Sequence, residues 1–322
     1  MYRRNLIAAA LAAGVFPRAF AQAGWPGKPI RLVVPFPPGG GTDTASRLIA
    51  EKFTTVLGWT VIVDNKPGAG GNIGIDFVAK SAPDGYTIGM GQASNLAINP
   101  SLYAKMPFDP LKDLTPIVAI SEQPVVLVVR ADSPYRTFAD FVKAAQAKPG
   151  AIGIAQAGNG TVGHLAGELL ERQIHAQIMQ VPYKGAGPAM NELLGGQVPA
   201  YFGSSPSVMP QLAGGKIRAL AVTSARRLGS MSAVPTVAEQ GYPGFAATTW
   251  LGLVGPAGMP ADVVNRISSE TLKLLARPEV KEKLEFDGSE VTPGNPQQFA
   301  AHIKAEHAKW GALIKEANIK LE

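Results

Sequence analysis

Four histidines, at 164, 175, 302 and 307, and the absence of cysteine limit the covalent chemistry open to this 322-residue chain. Without cysteine there is no disulfide, no thiolate catalysis and no Cys-ligated metal. No histidine belongs to an H-E-x-x-H motif, and no G-x-S-x-G turn presents a serine nucleophile. The nearest nucleophile–base set is Ser204, Ser205 and His164, with no motif joining them. What recurs instead is glycine. Residues 35–43 read PFPPGGGTD, 65–74 read NKPGAGGNIG and 158–163 read GNGTVG. Each stretch follows an apolar run and precedes a helical pattern. A helix start leaves backbone N–H groups without partners and carries about half a positive charge. Glycines let an anion approach those groups closely, and a carboxylate satisfies them as well as a phosphate does.

Two nucleotide devices fail here. A P-loop needs Gly-Lys-Ser or Gly-Lys-Thr, and neither occurs. Gly158, Gly160 and Gly163 match the dinucleotide fingerprint, but the next strand ends Val181-Pro182-Tyr183-Lys184 with no acid to hold a ribose. The loops are therefore read as an organic-anion cradle. Its candidate residues in the first loop are Phe36, Pro38, Gly39, Gly40, Gly41, Thr42 and Asp43. Thr42 adds a hydroxyl. Asp43 is unfavourable beside an anion, so its expected work is local, as a helix cap or a clamp on loop N–H groups. Asn159, Thr161 and His164 form a matching start in the second half, and Ser204 and Ser205 offer hydroxyls after a later strand.

The elements that must position these residues alternate. Strands are expected at 30–35, 60–64 and 87–91, with helices at 44–57 and ahead of the turn APDGY (82–86). The pattern restarts with strands at 125–129, 151–155, 177–181, 198–202 and 218–223 and helices at 138–147, 164–173 and 189–194. An irregular stretch covers 224–247, followed by a strand at 250–254 and helices at 261–275 and 296–317. This order predicts parallel crossovers and an α/β fold of two similar units around a cleft, with ligands outside the carboxyl ends of the strands.

The first 23 residues are set apart. Arg3 and Arg4 precede an 11-residue apolar run, Leu6 to Phe16, and then the small-x-small sites at 19–23. This reads as a secretory signal peptide, exported by the general or the twin-arginine route. Removing residues 1–21 takes away Arg3, Arg4 and Arg18 and no acid, so the formal charge falls from +6 to +3. That balance, with no block of like charges, gives no reason to expect nucleic acid. With 46% apolar and 17% charged residues the remainder should form a packed protein without a membrane anchor.

Read together, PIRLVVPFPPGGGTD (29–43), NKPGAGGNIG (65–74), APDGYT (82–87), INPSLY (98–103), GNGTVGHLAGEL (158–169), VPYKGAGPA (181–189), GGKIRALAVTSARR (214–227), VPTVAEQGYPGF (234–245) and WLGLVGPAGMP (250–260) resemble the substrate-binding proteins of tripartite tricarboxylate transporters, the Bug family. The resemblance covers nearly the whole mature chain. It implies a periplasmic solute receptor of the type II Venus-flytrap fold, with two lobes, two crossovers and a C-terminal helical segment. The expected division is a signal peptide at 1–23, a first lobe from 24–125 and 247–322, and a second lobe at 126–246. The implied ligand is a small carboxylate, a di- or tricarboxylate or an aromatic acid. The first loop would hold one carboxylate, partly through water, while Ser94-Asn95, the start at Asn159–His164, Tyr183 and the serines close on the rest. The implied partners are the two membrane subunits of such a transporter, although many members are orphans, and the expected state is a monomer without cofactor or metal. Many members carry an acid after the Phe of VPAYFGSSPS; here Gly203-Ser204-Ser205 follow Phe202, which disfavours an amino-acid ligand. Two other readings use the same residues: a sensor domain for a membrane signalling partner, and a periplasmic enzyme acting on small acids.

Overall fold

A computed structural model describes residues 25–321. The expected signal peptide lies outside them. The first segment runs β1 (Ile30–Val34), α1 (Gly41–Leu57), β2 (Val61–Asn65), α2 (Asn72–Ala79), β3 (Thr87–Gln92), α3 (Asn99–Leu102) and β4 (Leu114–Arg130). The second runs α4 (Phe138–Ala147), β5 (Gly153–Gln156), α5 (Val162–Ile174), β6 (Met179–Pro182), α6 (Ala186–Leu194), β7 (Ala200–Ser204), α7 (Ser205–Ala213) and β8 (Ile217–Val222). The chain closes with β9 (Thr248–Pro256), α8 (Ala261–Leu275), α9 (Pro278–Phe286), β10 (Glu290–Gly294) and α10 (Pro296–Glu316).

Two sheets meet along β4. Its first half, up to Pro124, pairs with β9 and β10 in a sheet completed by β3, β1 and β2. From Val125 onward it pairs with β7 and β8 in a sheet completed by β5 and β6. The chain passes between the sheets twice, once within β4 and once through residues 223–247. The parallel crossovers expected from the strand–helix alternation are present among β1, β2 and β3 and among β5, β6 and β7. Both sheets are nevertheless mixed, because β9 runs antiparallel to β3 and β4, and β4 antiparallel to β7 and β8.

Apolar cores lie on the faces of both sheets. One packs α1 and α8 on β1, β3, β4 and β9 through Ile49, Phe53, Ile88, Leu253 and Ile267. Another joins α4, α5 and α10 through Phe141, Leu165, Phe299 and Trp310. A third lies under α6 and α7 around Tyr201 and Val208. The long C-terminal helix is fixed by Glu306, whose Oε2 accepts from the indoles of Trp250 (3.2 Å) and Trp310 (2.9 Å). Asn295 and Gln298 close its start with a capping box.

Candidate functional site

The first glycine loop carries the chain from β1 into α1. The helix begins at Gly41, three residues before the expected start, and its N-cap is Gly40, with no side-chain cap. Asp43, expected as a cap or a clamp, is not the cap. Asp43 sits in the first turn, buried, and its carboxylate reaches back: Oδ2 accepts from Gly39 N–H at 3.0 Å and from Arg47 Nε at 2.9 Å, and Oδ1 accepts from Asn65 Nδ2 at 2.9 Å. Burial alone pushes this carboxyl up, but the hydrogen bonds from Arg47, Asn65 and Gly39 outweigh it and hold the group below the usual range. Asp43 thus clamps the loop and is neutralised by Arg47 on the side away from the cavity.

The cavity lies between the two sheets. Its inner part, about 60 Å³, is walled by Gly40, Gly41 and Thr42 at the start of α1, Thr161, Val162 and Gly163 at the start of α5, Ala186 at the start of α6 and Ser204 ahead of α7. Four helix N-termini therefore converge on one small space. The N–H groups of Gly41, Thr42, Val162 and Gly163 have no backbone acceptor among the described residues. Among the described residues no charged side chain lines this part, so the local field is positive and comes from backbone dipoles. Gln92, Gln123 and Thr249 complete the polar wall. Thr42 Oγ1 donates to Gln92 Oε1 at 2.7 Å, and Gln92 Nε2 donates to Ser94 Oγ at 2.9 Å. Gln123 Nε2 donates to Gly41 O at 3.1 Å and to Ser289 Oγ at 3.2 Å. Ser204 and Thr249 line the space, and their hydroxyls have no protein partner among the described residues.

A second chamber of about 480 Å³ adjoins it, and Phe36, Pro37 and Ala157 line both. Pro67 to Gly71 and Tyr103 form one side of the chamber, and Gly158, Asn159 and Pro182 to Gly185 the other. The two sides touch: Tyr103 Oη lies 3.5 Å from the carbonyl of Asn159.

Of the residues expected from sequence, Phe36, Gly40, Gly41, Thr42, Thr161 and Ser204 wall the inner cavity, and Phe36, Asn159 and Tyr183 wall the chamber. The others frame these walls. Pro38 and Gly39 are exposed at the loop tip. Ser94 and Asn95 belong to a buried helical turn, Ser94–Ile98, where a loop was expected; Asn95 Oδ1 accepts from Gln92 N–H at 3.1 Å. His164 is buried, its Nδ1 accepts from Gly160 N–H at 3.3 Å and its Nε2 lies 3.6 Å from Glu168. It holds the 158–161 loop and does not face Ser204 across the cavity. Ser205 is fully buried and donates to Gly288 O. Gln92, Gln123 and Thr249 were not expected. Gln92 ends β3, where the carboxyl-end rule pointed, whereas Gln123 and Thr249 lie on antiparallel strands that the rule does not reach.

A family model for the tripartite tricarboxylate transporter family receptor matches residues 45–319. A UPF0065 protein encoded in the tcbD–tcbE intergenic region of Pseudomonas sp. strain P51 is 39% identical over 93% of this chain and 89% of its own length. Among solved structures, Rpa4515 of R. palustris with adipate superposes with a TM-score of 0.89 at 35% identity, covering 92% of this chain and 99% of that one. MatC (Rpa3494) of Rhodopseudomonas palustris with bound malate superposes with a TM-score of 0.85 at 31% identity, covering 90% of this chain and 100% of that one.

Proposed function

The chain belongs to the tripartite tricarboxylate transporter receptor family, and from that premise we propose that it is a periplasmic receptor that captures a small carboxylate for uptake through a tripartite transporter. The observation that carries this reading is the convergence of four helix N-termini on an inner cavity without any charged side chain. Such a site holds an anion by backbone amides and two unpartnered hydroxyls, Ser204 and Thr249. The two related structures carry adipate and malate, both carboxylates, which supports the same class here. The related structures are binding proteins carrying their ligands, which supports binding without turnover here. The two sheet-centred halves act as lobes that close on the ligand, and the complex is delivered as a monomer to the membrane subunits.

The test is a thermal-shift screen of the exported chain after unfolding and refolding to strip any co-purified ligand. Carboxylates at 100 times their Kd should add about 2.7 kcal/mol of stability, a rise of about 4 °C for a chain of about 300 residues. Neutral amides of the same acids should give none. A panel in which no carboxylate shifts the transition removes the carboxylate reading.

A further inference from the structure

We propose that a pocket walled by β4, β9, β10 and α10, separate from the cleft, is a second binding site whose ligand is a compact organic cation with an apolar body. The pocket measures about 270 Å³, close to the roughly 300 Å³ at which small-molecule sites begin. It opens where β10 leaves its partner. Glu290 and Val291 pair with Glu122 and Ser121, and Gly294 pairs with Ala119, but the register shifts between them, and Thr292 and Pro293 line the gap. Proline has no N–H to give to the ladder. The other walls are largely aromatic. Trp250, paired with Glu122 across β4 and β9, meets the rings of His302 and Phe299 in T-shaped contacts, with centroids 4.8 and 5.8 Å away.

Successive residues of a strand face opposite sides of the sheet. Gln123 faces the cleft, where it donates to Gly41 O, and Glu122 faces α10, within the field of His302 and Glu306. Glu122 is the one carboxylate lining the pocket among the described residues. It is half-buried, and among those residues it has no hydrogen bond or ion pair. Its acidic neighbours are engaged elsewhere. Glu290 accepts from Arg226 at 3.0 Å, and Glu306 accepts from Lys309 at 3.0 Å and from the two indoles. Burial pushes the Glu122 carboxyl above its usual range; His302 and Arg226 oppose that shift, and Glu290 and Glu306 add to it. A partly desolvated carboxylate without a partner is unfavourable, and a cation seated beside it supplies the missing partner. The neutral imidazole of His302 offers an acceptor for a second N–H, and the aromatic wall attracts an ammonium further. No His, Asp and Glu side chains are grouped closely enough to hold a metal among the described residues, so an organic cation fits better than a metal ion.

Isothermal titration of the exported chain with benzylammonium and with benzyl alcohol, its neutral counterpart, tests this. The wild type should bind the ammonium about tenfold tighter than the alcohol, a charge-assisted contact. Glu122→Gln should remove most of that preference and leave the alcohol within about twofold. Ammonium chloride at the same concentration should not displace benzylammonium. Without any cation the variant should melt no lower than the wild type, because it loses a charge that the fold leaves unpaired. A wild type with no preference for the ammonium, or a preference that survives Glu122→Gln, overturns the proposal. Displacement by the bare ammonium ion overturns it as well, since the pocket would then read charge without a body. A variant that melts lower shows that the Glu122 charge serves the fold, and the site falls with it.

Discussion

Around the first loop the labour is divided between side chains of different elements. Asp43 organises the loop from behind, and Thr249, together with Ser204, faces the space in front. The clamp has a pH signature. The folded carboxyl titrates below its unfolded value, so its contribution to stability is complete above the ordinary Asp range near pH 4. It drains away as pH falls through the folded value. Asp43→Asn should therefore cost about 1–3 kcal/mol at pH 7, since a buried charged acceptor of three hydrogen bonds is lost. The cost should shrink towards pH 3, and urea melts of both proteins at the two pH values measure it. An equal cost at both would show that the charge is not what matters. On the cavity side, Thr249→Val keeps volume and removes one unpartnered hydroxyl. Stability should stay within about 0.5 kcal/mol, while carboxylate affinity falls about tenfold, the worth of a hydrogen bond to a charged group. Calorimetry reads the second number; unchanged affinity would take Thr249 out of the site.

At the scale of elements, those with local signals were readable and those defined by their partners were not. Helix α4 carries its own start, a capping box in which Thr137 Oγ1 accepts from Asp140 N–H at 3.1 Å and Thr137 N–H donates to Asp140 Oδ2 at 2.9 Å. Its bounds and those of α8 agree with the sequence expectation residue for residue. Thr137→Ala should cost about 1 kcal/mol and leave ligand affinity unchanged, because α4 lines neither part of the cavity. A change in affinity would mean that α4 is coupled to the cleft. By contrast, only 125–129 of the 17-residue β4 was legible. Its first half is broken by Pro116 and by the polar run Ser121-Glu122-Gln123, and becomes a strand because β9 and β10 supply partners on both sides. Helix α9 and strand β10 went unread for the same reason. The early start of α1 was hidden because its cap is a glycine, which leaves no side-chain signal. The same gap hid the cavity's glutamines: the loops announced themselves by composition, while Gln92 and Gln123 are ordinary strand residues until two sheets are brought together around them.

For the whole molecule, the glycine loops have a second use besides exposing amides, for they let the two halves touch. Gly70 sits at φ +62°, and a Cβ there would lie 2.9 Å from the carbonyl of Asn159, a backbone atom of the other half that cannot rotate away. A side chain at 70 must therefore hold the halves apart. Gly70→Ala should weaken carboxylate binding by more than about tenfold and blunt the compaction that the proposed closure on a ligand should give in small-angle scattering. Backbone strain alone would also cost stability, since alanine at positive φ is disfavoured by about 1–2 kcal/mol. Gly58→Ala separates the two effects. Gly58 has φ +70° and nothing within 4 Å of its would-be Cβ, and it caps α1 at the end away from the cavity. Both variants should lose similar stability without ligand, and only Gly70→Ala should lose affinity and compaction. If the two behave alike in all three measurements, contact between the halves at Gly70 is irrelevant to binding. The close approach of the loops would then be a by-product of how the sheets meet along β4 and no part of the receptor's closing stroke.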